Sequence, residues 1–66
     1  MNKSHYIVSC YQEDCKVADN ILLYDDLNQA KQNAETLHKD YQRIEISEAF
    51  YTEEGVIDWL IESYDK

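Results

Sequence analysis

The sequence predicts an α+β domain of order β-β-α-β-β, an antiparallel sheet with one helix packed on one face. Three observations predict it. Two stretches read as strand: 5–11 is β-branched and aromatic, and 43–51 alternates apolar with polar. Between them Leu27, Ala30, Ala34, Leu37 and Tyr41 recur at spacings of three and four, a single helical stripe. Thr52-Glu53-Glu54-Gly55, a polar turn holding the only glycine, follows the second stretch and joins it to a last strand as a hairpin. At 66 residues the chain is one domain, 1–66.

His5 to Tyr11 is β-branched and aromatic, a first strand. Residues 12–20 are polar and form the loop of a wide hairpin, with Lys16-Val17-Ala18 pairing at its edge. Ile21 to Tyr24 is a short second strand. Asp26 and Gln29, three apart, make an N-cap pair for the helix, and Asp25 favours its positive end. Lys31, Glu35 and Lys39 are four apart on the outer face. The stripe is narrow and contains two alanines, which suits a helix lying close on a sheet. Residues 43–51 are the third strand and 56–61 the last, with Gly55 in a left-handed position at the turn. Ser63 to Lys66 is a polar tail, docked by Tyr64.

Alternation sorts the faces. Ile44, Ile46, Phe50, Ile57, Trp59 and Ile61 fall on the helix side. The outer side carries Arg43, Glu45, Ser47, Ala49 and Tyr51 from one strand, and Val56, Asp58, Leu60 and Glu62 from the other. Ile7, Ser9 and Tyr11 are the more polar set of the first strand and belong outside with them. Glu48 breaks the alternation of its own face, which points to a bulge or strand end there.

Charge is unevenly placed. The chain has 14 Asp and Glu against 6 Lys and Arg, a formal net of −8. Residues 45–66 hold seven of the acids (Glu45, Glu48, Glu53, Glu54, Asp58, Glu62, Asp65) and only Lys66 against them. Such a chain repels bare nucleic acid and anionic membranes, and favours basic protein surfaces. No apolar run reaches the ~20 residues of a membrane span, and the N-terminus lacks a signal-peptide core, so the expected location is the cytoplasm. Cys10 and Cys15 are then expected free and reduced.

Catalytic and metal chemistry find little support. No acid stands where burial would raise its pKa for proton transfer, and Glu53-Glu54 is a wet turn. A zinc site would need Cys10 and Cys15 to recruit His5 and His38, without C-x-x-C or H-x-x-x-H spacing. Residues 14–25 lack the calcium-loop pattern of alternating acids and a glycine. The expectation is a non-enzyme with neither cofactor nor metal.

The first strand Tyr6-Ile7-Val8-Ser9-Cys10-Tyr11, the helix opening Asp26-Leu27-Asn28-Gln29-Ala30-Lys31 and the closing hairpin resemble small proteins of phages and mobile elements. Some anti-CRISPR proteins share this sheet-plus-one-helix build, and many such inhibitors are acidic mimics of nucleic acid. The resemblance covers most of the chain by element order and carries over no functional residue. It implies a stoichiometric inhibitor that occupies a basic groove, on a nuclease or defence complex, in the host cytoplasm. The binding face expected for it comprises Tyr11, Glu45, Tyr51, Asp58, Leu60 and Glu62. The alternative is a homo-oligomeric module, a homodimer for instance, with Tyr51, Val56 and Leu60 buried against a second copy. Against both stands a plainer reading, in which the acids are solvated surface and the tyrosines fill a core short of Leu and Phe.

Overall fold

The computed structural model describes residues 4–65, so Lys66 and the first three residues lie outside the described part. Strands β1 (Ser4–Tyr11), β2 (Asn20–Tyr24), β3 (Arg43–Thr52) and β4 (Gly55–Asp65) and helix α1 (Leu27–Leu37) follow in the expected order. The sheet runs β2-β1-β3-β4, with each neighbouring pair antiparallel. β2 and β3 therefore run parallel on either side of β1. A parallel connection requires a crossover, and α1 supplies it by lying across the sheet.

The core is small and sits under the helix. Val8, Cys10, Ile44 and Ile46 are fully buried against Ala30 and Ala34, whose small side chains let the helix approach closely. Leu22, Leu27 and Leu37 close its rim, together with Tyr6, Tyr24, Tyr41 and Tyr64. Four of the six tyrosines thus do the work of a sparse core, as the plainer reading has it. Ile7, Ser9 and Tyr11 lie on the uncovered face, as their polarity predicts: their neighbours in register are Leu23, Ile21 and Arg43 rather than core residues.

Several local expectations are corrected. The helix ends at Leu37 with His38 as its C-cap, short of Tyr41. Gln42 already donates to the Tyr11 carbonyl at 3.0 Å, so the chain must reverse between Leu37 and Tyr41 to enter β3. Tyr41 still reaches the core from that turn. Asp26 caps the amide of Asn28 at 3.1 Å, one residue earlier than a box with Gln29 requires. Lys16, Val17 and Ala18 form no strand: tight bonds from Cys15 N–H to Gln12 O and from Asp19 N–H to Cys10 O fold residues 12–19 into a loop. Gly55 has φ +142°, and Glu53 and Glu54 have ordinary negative φ, so the strain of the turn falls where no Cβ exists.

The largest correction concerns β4. It continues through Asp65, where a loose tail is expected, and Tyr64 pairs with Ile44 in the ladder. Its register against β3 shifts between Ile46, opposite Glu62, and Ser47, opposite Leu60. Ile61 is the extra residue of a β-bulge. β3 itself runs unbroken through Glu48, so the irregularity lies on the neighbouring strand. Beyond the bulge the faces exchange: Glu62 and Tyr64 turn toward the helix, and Ile61 has no partner in the ladder.

The helix also covers less than alternation suggests. Eleven residues of helix span about 16 Å, whereas eleven residues of strand span about 36 Å. α1 packs on β1, β2 and β3 and meets β4 only through side chains at Glu62 and Tyr64. Phe50, Ile57 and Trp59 do face the helix side, but they lie past its reach. The molecule measures 37 × 24 × 15 Å, with the outer half of the β3–β4 hairpin extending beyond the core.

Candidate functional site

Register places the expected binding residues in three groups. Tyr11 and Glu45 lie near the base of the uncovered face. The Tyr11 hydroxyl donates to Glu45 Oε1 at 3.3 Å, and Arg43 binds Glu45 at 2.7 Å and Asp65 at 3.5 Å. Burial, then the Glu45 carboxylate, push the Tyr11 hydroxyl above its ordinary pKa. This cluster borders an open cleft of about 320 Å³ whose far wall holds Cys15 and Lys16. Glu45 is therefore a neutralised acid, engaged within the fold.

Tyr51, Asp58 and Leu60 form the second group, farther out on the same face, opposite Val56, Ala49 and Ser47 respectively. His5 joins them: it pairs with Ala49 across the sheet, its Nδ1 lies 3.0 Å from Asp25, and its ring meets Tyr51 edge-on at 5.3 Å. Composition gave no sign of His5 in this role, because its partners come from two distant segments.

Glu62 stands apart. The bulge turns it to the helix side, where it lies 3.8 Å from Lys31 and accepts a 2.8 Å hydrogen bond from the Tyr64 hydroxyl. Its expected place on the outer face is thus overturned. Lys31 reaches toward β4 from the helix flank, not along the helix to Glu35 or Lys39. Burial foremost, then Glu62 and Glu35, push the Tyr64 hydroxyl up to about 12. The His38 ring packs near Tyr64 at 5.8 Å, with its Nε2 buried and without a hydrogen-bond partner.

The outer hairpin has a different character from the base. Among the described residues, no ion pair engages Glu48, Glu53, Glu54 or Asp58. Between these four acids lie exposed apolar side chains: Tyr51 at 50%, Val56 at 58%, Ile57 at 55%, Trp59 at 46% and Leu60 at 53% of full exposure. Alternation puts Ile57, Trp59 and Glu48 on one face and Tyr51, Val56, Asp58 and Leu60 on the other. Both faces of the outer hairpin are thus apolar and acidic together. Ile57 and Trp59 were expected in the core. The signal that could have found them is the mismatch between one short helical stripe and two long strands.

Cys10 is buried and Cys15 exposed, both as free thiols. Burial, then Asp19, raise the Cys10 pKa. Among the described residues no cluster of three His, Cys, Asp or Glu gathers as metal ligands, and no helix is long and apolar enough to cross a membrane. Comparison with protein-family models, curated proteins and solved structures found no match.

Proposed function

We propose that this chain is a small acidic protein-binding module, a stoichiometric inhibitor that inserts its outer β3–β4 hairpin into a basic groove of a nucleic-acid-handling protein. The observation that supports it is the composition of that hairpin: four unpaired carboxylates around five half-exposed apolar side chains, held clear of the core. Interfaces favour Trp, Tyr and rigid aliphatic groups at the centre of contact, and charge at the rim. Lys and Arg that ordinarily hold phosphates would meet Glu48, Glu53, Glu54 and Asp58, and a carboxylate offers a bidentate partner to a guanidinium. Inhibition of the anti-CRISPR or other anti-defence kind, with the hairpin standing in for nucleic acid, is the specific form of this proposal. It places the protein in the host cytoplasm.

The test is capture of partners from a lysate of the source cell, at low and at high salt, with the wild type and with an E48K/E54K/D58K variant. A Lys- or Arg-rich partner is expected, retained at low salt and lost by the variant, since exposed charge contacts are screened by salt. Addition of the protein should block that partner's nucleic-acid binding at equimolar ratio. A partner held equally by the variant overturns the proposal.

A second reading has its own observation. Leu23, Ile7, Ser47 and Leu60 share one row across the uncovered face, with Ile21 beside Leu23, and Leu23 is 69% exposed. That row, apolar but for Ser47, suits a second copy packed face to face, the homodimer alternative. Sedimentation velocity decides it: a monomer throughout the micromolar range removes this reading.

A further inference from the structure

The order β2-β1-β3-β4 leaves two sheet edges. β2 is a short edge of five residues, one of the usual protections against unwanted pairing. β4 is an edge strand of eleven residues. In an antiparallel ladder every second residue of an edge strand turns its N–H and C=O away from its partner, so β4 offers unpaired backbone groups along its outer side. The bulge at Ile61 interrupts this edge, and Gly55 begins it. A regular stretch remains from Val56 to Leu60, about 17 Å long.

We infer that this stretch of β4 accepts an extended, basic segment of the partner as a fifth strand. The inference rests on the binding-module proposal and names how the partner is recognised. Backbone pairing would supply affinity and the alternating side chains selectivity, as in other strand additions. On one face of the added strand, a Lys or Arg meets Asp58, and the alkyl stems of the bases on either side of it lie along Val56 and Leu60. On the other, apolar groups meet Ile57 and Trp59. The charge of the occupant follows from the edge itself. β4 carries Asp58, Glu62 and Asp65 and no base, so a second copy of β4 would bring acid beside acid, which is unfavourable across paired strands. A partner strand with bases at alternate positions turns the same groups into attractions.

The test uses a nine-residue peptide in which Lys alternates with Val and Thr, and a counterpart with every backbone amide N-methylated. The two have the same charge and side chains, and only the first can complete a ladder. Backbone amide spectra of the full chain are recorded during titration with each. Shifts should concentrate at residues 56–60, and N-methylation should weaken binding at least tenfold. The D58K variant should weaken the unmethylated peptide. Equal binding of the two peptides, binding of neither, or shifts centred on residues 20–24 would overturn strand addition. So would concentration-dependent shifts at 56–60 without peptide, which would assign the edge to a second copy. The broader proposal fails by a different result, capture of the cellular partner by the E48K/E54K/D58K variant.

Discussion

Lys31 on the helix and Glu62 on β4 approach to 3.8 Å, and this contact marks which way the end of the last strand faces. A simple count of two from Asp58 and Leu60 sends Glu62 to the other side of the sheet. The contact exists because Ile61 is an extra residue.

Glu62 and Asp58 should therefore answer to different assays. Glu62→Lys sets like charge against Lys31 and removes the acceptor of the Tyr64 hydroxyl, and should lower stability by about 1 kcal/mol. Asp58→Lys breaks no ion pair among the described residues and should leave stability within about 0.5 kcal/mol while weakening capture of a basic partner. Urea unfolding of both variants, with capture in parallel, checks the division. Equal stability losses would contradict it.

Deletions test the bulge directly. Removing Ile61 leaves Leu60 opposite Ser47 and Glu62 opposite Ile46, a regular ladder, so the fold should survive with Tyr64 still on the core. Removing Ser63 instead sends Tyr64 to the uncovered face and should unfold the domain or lower its melting temperature steeply. Circular dichroism on heating separates the two, and comparable losses would show that β4 has no bulge.

Core and hairpin side chains of similar hydrophobicity should differ sharply. Ile46→Ala empties a fully buried position and should cost about 2–5 kcal/mol, much of the stability of so small a domain. Trp59→Ala removes a larger side chain that is 46% exposed past the end of the helix, and should cost no more than about 1 kcal/mol. Chemical denaturation curves give both values. A Trp59 cost matching that of Ile46 would mean that the hairpin is packed in solution.

Tyr64 makes the fold sensitive to alkali. Its hydroxyl titrates at about 12 in the fold against 10.0 for the free side chain, so the folded state holds this proton more tightly. The resulting stabilisation is complete below pH 10 and is lost as pH rises toward 12. Tyr64→Phe should flatten that decline. Stability measured from pH 9 to 12, with phenolate absorbance, checks it, and an unchanged slope in the variant would assign the decline to other groups.

Element order was legible because each period is locally encoded. Leu27, Ala30, Ala34 and Leu37 cannot serve as a strand, and Ile44 and Ile46 alternate against Arg43 and Glu45. The polarity of Ile7, Ser9 and Tyr11 against Tyr6, Val8 and Cys10 likewise sorted β1 correctly. Glu62 falls on the wrong face by alternation because a bulge leaves no compositional trace: Ile61 is as good a strand residue as Ile57. Trp59 was misplaced because alternation reports a side and says nothing of whether anything covers that side. The pairing of Glu45 with Arg43 and Tyr11 depends on strands far apart in sequence, so counting acids could not separate it from the unpaired Asp58.

The helix covers one end of a sheet more than twice its length, and this divides the molecule into two jurisdictions. Fold stability is settled near Ala34, Val8 and Ile46, while the exposed side chains of the hairpin, Tyr51, Val56, Ile57, Asp58 and Leu60, lie outside that core. Substitutions at these positions, unlike those at Gly55 or the buried Ala49, then carry little folding cost. Selection could redraw that surface against a changing counterpart, residue by residue, on a frame that need not be rebuilt each time.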